Sequence, residues 1–212
     1  MRHAVSYGSG LLAVAAVAAI LLVSPVAVEA QLPDLSGATS TITGTLLGTT
    51  TVLNGTGTLV AGTSDALQSS DLAGSIPSLL MGEALHAVTI GYPDQIDSEA
   101  SLAALALNVA GMSIGADAVM ARALAVVGGA VGTSNITNLS INGVPIPVTG
   151  DPNQTVGLLG GVLVINEQQV LSDGTMVVNA LHAIVSGVAD VVVASAMAGL
   201  SGGNAQAVQA SY

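Results

Sequence analysis

Residues Met176 to Gly199 read MVVNALHAIVSGVADVVVASAMAG, an almost unbroken aliphatic run interrupted by Asn179, His182 and Asp190. Its length suits a membrane-spanning helix. Its polar residues do not. Asp190 alone would cost roughly 3 kcal/mol at a bilayer centre, and no Lys, Arg, Trp or Tyr flanks the run as an interfacial anchor. Val177-Val178 and Val191 to Val193 favour extended chain, because β-branched side chains pack well on a pleated surface. Gly187 divides the run into two strands, Met176 to Val185 and Asp190 to Ala196. Both alternate faces of these strands are apolar, as in strands covered on both sides. The run is therefore read as the central strands of a β domain, and the mature chain is expected to hold no transmembrane segment.

Working back from this pair, Ser172-Asp173-Gly174-Thr175 is a hairpin signal fed by a strand over Gly161 to Gln169. Asn135 to Ile141 and Val144 to Val148 read as strands joined at Asn142-Gly143. Asn-Gly suits a type I′ turn, in which both central residues have positive φ. Pro145 and Pro147 lie two apart and cannot donate ladder bonds, which marks an edge strand. Glu83 to Ile90 is a strand ended by Gly91-Tyr92-Pro93-Asp94. Ser98 to Val127 reads as two long strands bending near Gly111 and closing at Gly128-Gly129. A helix over 99–110 is the alternative, since periodicity does not arbitrate an Ala-rich run. Strict alternation from Ile114 onward places Ala116, Ala118 and Met120 on one face and Asp117, Val119 and Ala121 on the other.

Composition narrows the function classes. The chain holds two cations, Arg2 and Arg122, against thirteen acidic residues, for a net charge of -11. Nothing so poor in cations displaces counterions from phosphates, so nucleic acid and anionic membrane surfaces are excluded as partners. Charged residues make up only 7% of the chain, so the imbalance reflects missing Lys and Arg and not a dense acidic coat. With no Phe, Trp or Cys, the core must be filled by small aliphatic side chains, which lets facing layers approach closely.

The first thirty residues carry Arg2 and His3, an apolar run from Leu11 to Val23, Pro25, and Val28-Glu29-Ala30. This is the pattern of a secretory signal cleaved after Ala30. Residues 31–82 are rich in Gly, Thr and Ser, with recurring single Leu, Ile and Val. Two readings stand: a solvated linker, or partial order as short edge strands, with Asp71 to Met81 as a short helical turn broken at Pro77. Residues 83–200 form the expected β domain, and 201–212 a disordered tail. The expected fold class is all-β, an antiparallel two-layer sandwich or rolled sheet.

One internal echo carries candidate chemistry. Ala84-Leu85-His86-Ala87, Gly91 and Asp94 recur as Ala180-Leu181-His182-Ala183, Gly187 and Asp190 at a constant offset of 96 residues. If the two units are neighbours in one sheet, His86, His182, Asp94 and Asp190 are the candidate metal ligands, and the alternative function is a secreted ligand- or metal-binding β module, although no local ligand spacing such as HxH or HExxH supports a metal. No GxSxG elbow or other placed nucleophile accompanies the histidines. No catalytic residue and no cofactor is therefore assigned, and the expectation is that the chain is not an enzyme.

The order of motifs is distinctive. TSNITNLSINGVPIPV (133–148), DPNQT (151–155), VINEQ (164–168), VNALH (178–182) and DVVVASA (190–196), with IGADAVMARA (114–123) upstream, resemble the bacterial choice-of-anchor P family. The resemblance implies an exported, surface-associated domain found with varying C-terminal anchors and without established enzymatic activity. Separately, self-assembly or envelope or matrix components are the expected partners. The last residues, SGGNAQAVQASY, show no sorting motif or apolar tail. Free secretion or non-covalent assembly is expected over covalent anchoring.

Overall fold

In the computed structural model, which describes residues 34–60 and 65–201, the chain forms two antiparallel sheets packed face to face as a sandwich. The expected signal peptide and the expected tail beyond Ser201 lie outside the described residues. A hairpin of β1 (Asp34–Leu46) and β2 (Thr49–Val60) opens the fold, followed by the meander β3 (Ala66–Ile76), β4 (Leu80–Gly91), β5 (Gln95–Val109), β6 (Met112–Val126) and β7 (Gly129–Thr137). The short strands β8 (Ser140–Ile141) and β9 (Val144–Pro145) lead to β10 (Gln154–Leu158) and β11 (Gly161–Val170). The opening run then supplies β12 (Met176–Val185) and β13 (Ala189–Ser201).

One sheet has six strands in the order β10-β11-β12-β13-β1-β2. The other has seven, in the order β3-β4-β5-β6-β8-β9 with β7 also on β6. The strand expectation for 176–199 holds, and β12 and β13 are central. Their outer face differs from expectation, because Val177, Ile184, Val192 and Met197 are half-buried under no further layer among the described residues. β13 closes the domain by pairing with β1 along its whole length, from Asp34↔Ser201 to Leu46↔Ala189. Among the described residues no helix is long and apolar enough to cross a membrane.

Where they are described, residues 31–82 are not a linker: strands are observed, with β2 and β3 at sheet edges as one of the two readings expected and β1 inside the six-stranded sheet. They supply β1, β2 and β3, and Leu35, Ile42 and Leu59 are buried in the common core. Asp71 to Met81 is no helical turn: β3 runs to Ile76 and reverses through a tight turn closed by Leu79 N–H donating to the Ile76 carbonyl at 3.0 Å. The physical reason is that glycine here fills a close approach. A methyl on Gly37 would sit 2.6 Å from Ser98 Oγ, and one on Gly74 would sit 2.7 Å from Leu85 Cδ2. The inward Gly-Thr-Ser pattern that looks like flexible chain is a face pressed against the opposite sheet. Thr39, Thr41, Thr89 and Ser98 are buried there, with Thr56, Thr89 and Ser98 linked hydroxyl to hydroxyl at 3.3 Å.

The long strands at 95–126 are observed, and the helix alternative for 99–110 is not. The bend is a tight turn at Ala110 (φ 50) and Gly111 (φ 77). Asn142 (φ 51) and Gly143 (φ 78) form the expected turn with two positive φ angles.

Strict alternation fails, however, along a crease crossing both sheets. In the six-stranded sheet the crease passes Asn54, Thr41, Ala194, Ala180 and Asn166, which drop out of the pairing register together. Asn54, Asn166 and Ala194 there are left-handed, at φ 56, 52 and 54. Inward and outward positions exchange across it, so Thr41-Ile42, Ile165-Asn166, Ala180-Leu181 and Val193-Ala194 are all consecutive buried pairs. In the other sheet, left-handed Ala84, Ala104 and Asn138 mark the same exchange. Asp117 and Ala118 are consequently both exposed, and Val119 and Ala121 are buried, which corrects the faces expected for 114–127.

The β11–β12 hairpin offers a pH test. The Thr175 N–H donates to Asp173 Oδ1 at 2.9 Å. This bond, followed by that of the Thr175 hydroxyl, holds the Asp173 carboxyl below its ordinary value. A depressed carboxylate stabilises the fold above its unfolded pKa, and the contribution is lost as pH falls through the folded value. Asp173→Asn should therefore lower Tm slightly near neutrality and leave it unchanged below the carboxylate range, as read by thermal unfolding across pH. A deficit of equal size at every pH would rule this out.

Candidate functional site

The densest group of titratable side chains lies on the outer face of the six-stranded sheet, where β11, β12 and β13 run side by side. His182 on β12 is flanked in register by Val164 and Val192. Its Nδ1 lies 2.8 Å from Glu167 Oε2 on β11, and its Nε2 lies 2.8 Å from Asp190 Oδ1 on β13. The Asn179 amide donates to Glu167 Oε2 at 2.6 Å. The His182 side chain is 15% exposed and that of Asp190 59%, so the cluster is recessed at its centre and open on the β13 side.

The crease builds this site. Along β11, Leu163 and Ile165 point into the core, and period-two alternation would bury Glu167 as well. Left-handed Asn166 reverses the phase, so Glu167 emerges on the outer face beside His182. The same step turns Gln168 inward, where its amide donates to the Gly132 carbonyl of β7 at 3.2 Å and to Asn166 Oδ1 at 3.0 Å. On β12 the exchange at Ala180-Leu181 brings Asn179 and His182 to one face. Sequence reading singled out Asn179, His182 and Asp190 but missed Glu167, since nothing in VINEQ announces a change of phase.

Of the echoed set, the structure brings together His182 and Asp190 only. His86 lies on β4 of the other sheet, its Nδ1 2.9 Å from Ser70 Oγ. Asp94 is exposed in the β4–β5 turn. The repeated units are not neighbours in one sheet, and the joint site expected from the echo does not form. A short word of Ala, Leu and His fits any half-buried strand, and here it fits one in each sheet.

The geometry also limits what the His182 cluster can do. Each ring nitrogen lies within hydrogen-bond distance of a carboxylate oxygen, one on β11 and one on β13, so both imidazole positions are taken up inside the cluster. The cluster is thus built as a tie across three strands. Among the described residues, no group of three or more His, Asp and Glu is arranged to hold a metal ion.

Arg122, the one cation among the described residues, is equally committed. Its Nε donates to Asp97 Oδ1 at 2.8 Å and a terminal nitrogen bonds Asp97 Oδ2. The Asp97 hydrogen bond and charge raise the guanidinium pKa further. This bidentate pair faces solvent, where such pairs contribute little to stability.

No family model, curated protein or solved structure matches this chain.

Proposed function

We propose that this chain is an exported, non-catalytic structural or interaction domain that acts outside the cytoplasmic membrane. The observation that carries this reading is the closure of both His182 ring nitrogens on Glu167 and Asp190. The most concentrated set of reactive side chains is spent on joining strands, as expected of a scaffold. The commitment of Arg122 to Asp97 supports the same reading, since it takes up the cation a nucleic acid or an anionic membrane surface would need. The leader pattern of residues 1–30 supports export, and the resemblance to the choice-of-anchor P family supports a place at the cell surface.

The test is fractionation of a producing culture with the intact mass of the recovered protein. The expected product lies outside the cytoplasmic membrane and begins at Gln31. Recovery of the uncleaved chain inside the cell would overturn the proposal.

A further inference from the structure

At one end of the six-stranded sheet the β1–β2 turn and the β12–β13 turn lie side by side, tied by the Leu47 N–H donating to the Val188 carbonyl at 3.1 Å. An open hollow of about 280 Å³ lies there, with Thr45, Leu47, Ile184, Val188 and Asp190 in its lining. Pockets for whole drug-sized ligands run from roughly 300 to 1,000 Å³, so its scale is that of one inserted side chain.

Two features of the lining are not explained by the fold. Leu47 is 79% exposed, outside the common core and left-handed at φ 48. A two-residue hairpin turn favours Gly, Asn or Asp at such a position, and residues held against that preference collect at ligand clamps. Val188 beside it is 40% exposed. The second feature is Asp190, the one charged residue in the lining. It lies in register between Ile184 of β12 and Thr45 of β1. Its Oδ1 is spent on His182 Nε2, yet its side chain stays 59% exposed.

We propose that this hollow receives a lysine side chain of a partner protein, its methylenes against Leu47, Ile184 and Val188 and its ammonium on Asp190. Lysine lays its stem along apolar surface while its charged head stays in a polar setting, and the hollow supplies both surfaces. Charge selects a cation, because a chain carrying -11 attracts positive partners and repels acidic ones. With Oδ1 of Asp190 occupied, a point charge fits better than the two-pronged arginine fork. A second copy does not serve, since Arg122 is committed to Asp97 and Arg2 lies in the expected leader. A free alkylammonium ion would leave the exposed rim at Leu47 uncovered. The proposal rests on the interaction side of the function proposed above. Its test uses purified protein and does not read the compartment, so its failure would leave export standing.

The test is an NMR titration, at low ionic strength, of the full chain as recovered from its producing cells. The probe is the peptide acetyl-Gly-Val-Lys-Val-Gly-amide, which should give saturable shifts at Leu47, Val188 and Asp190. Norleucine in place of the peptide's lysine keeps the straight chain, loses the charge and should abolish them. Butylammonium chloride should bind at least tenfold more weakly than the peptide. Asp190→Asn and Leu47→Gly should each weaken peptide binding at least tenfold. Glycine enters positive φ freely, so Leu47→Gly keeps the turn while losing the rim. Asp94→Asn makes the same charge change in the exposed β4–β5 turn and should leave the affinity unchanged. A wild type without saturable shifts would overturn the proposal. So would equal binding of the norleucine peptide, full affinity in both hollow variants, or equal weakening by Asp94→Asn. Butylammonium binding as tightly as the peptide would overturn the choice of a protein as the occupant.

Discussion

Gly161→Ala should destabilise the fold by roughly 3 kcal/mol, the high end of overpacking, whereas Gly157→Ala, four positions away in the same hairpin, should cost nothing. Gly161 begins β11 and is paired on both sides, with Leu158 of β10 and Val185 of β12. A methyl there would fall on the Ile184 carbonyl oxygen, well inside van der Waals contact, with the Ile184 carbonyl carbon and Val185 Cα each 2.9 Å away. All three atoms are backbone, so no side chain can swing aside, and relief requires β11 and β12 to move apart. Separating them also pulls Glu167 from His182 and slackens the bond from Ser186 N–H to the Gly160 carbonyl, 3.3 Å long in the native fold. Gly157 on β10 has nothing within 4 Å of an added methyl and no positive φ. Alanine there removes unfolded-state entropy and should be neutral or stabilising by about 0.5 kcal/mol. Urea midpoints of the two variants give the comparison. A difference below about 1 kcal/mol would show that the sheet absorbs the methyl, against the close-packed behaviour of protein interiors.

The same pair of glycines shows how much of the fold a sequence discloses. Both read as punctuation, yet one is open and the other closed by facing backbone. The strands at 95–126, the turns at Ala110-Gly111 and Asn142-Gly143, and the split of 176–199 at Gly187 were legible because β-branched runs and left-handed turn residues are local signals. For residues 31–82 the edge-strand reading was legible in the recurring Leu, Ile and Val, but the length of those strands and the place of β1 inside the six-stranded sheet were not. Gly37, Gly44 and Gly74 pack against Ser98, Ile76 and Leu85, and a glycine forced by close approach looks in sequence like one chosen for flexibility. The small-residue core did predict thin, close layers, so the cause was visible but not the place where it acts.

The crease was illegible for a related reason. Ala84, Ala104 and Ala194 adopt left-handed φ with no Gly or Asn to signal it. L-residues enter that region at a cost of roughly 1–2 kcal/mol each, so tertiary pairing holds them there against local preference. Once the phase reverses, period-two bookkeeping assigns every later residue of the strand to the wrong face. That error hid Glu167 from the candidate site and misplaced Ala118. The echo failed differently: it paired His86 with His182 by sequence offset, while sheet order is set by which strands bury which faces.

Asn166 isolates the cost of the crease. It is 3% exposed and left-handed, its amide donates to the Gly150 carbonyl at 2.9 Å, and its Oδ1 accepts from Gln168. Asn166→Ala loses these bonds and places a Cβ-bearing residue without the local polar support that lets Asn tolerate this region. About 1 kcal/mol for the hydrogen bonds and a further 1–2 kcal/mol for the backbone give an expected loss of roughly 2–3 kcal/mol. Asn166→Gly loses the same bonds but enters positive φ freely, so about 1 kcal/mol is expected. The gap between the variants, measured by chemical denaturation, is the strain the crease imposes on β11. The site should report it too: in Asn166→Ala, relaxation toward regular alternation carries Glu167 off His182, and the His182 ring N–H resonances should shift, whereas in Asn166→Gly they should stay in place. Equal losses in the two variants, with the His182 signals unmoved in both, would mean that the hydrogen bonds alone hold Asn166, and that the left-handed turn of the chain neither costs the fold anything nor positions Glu167.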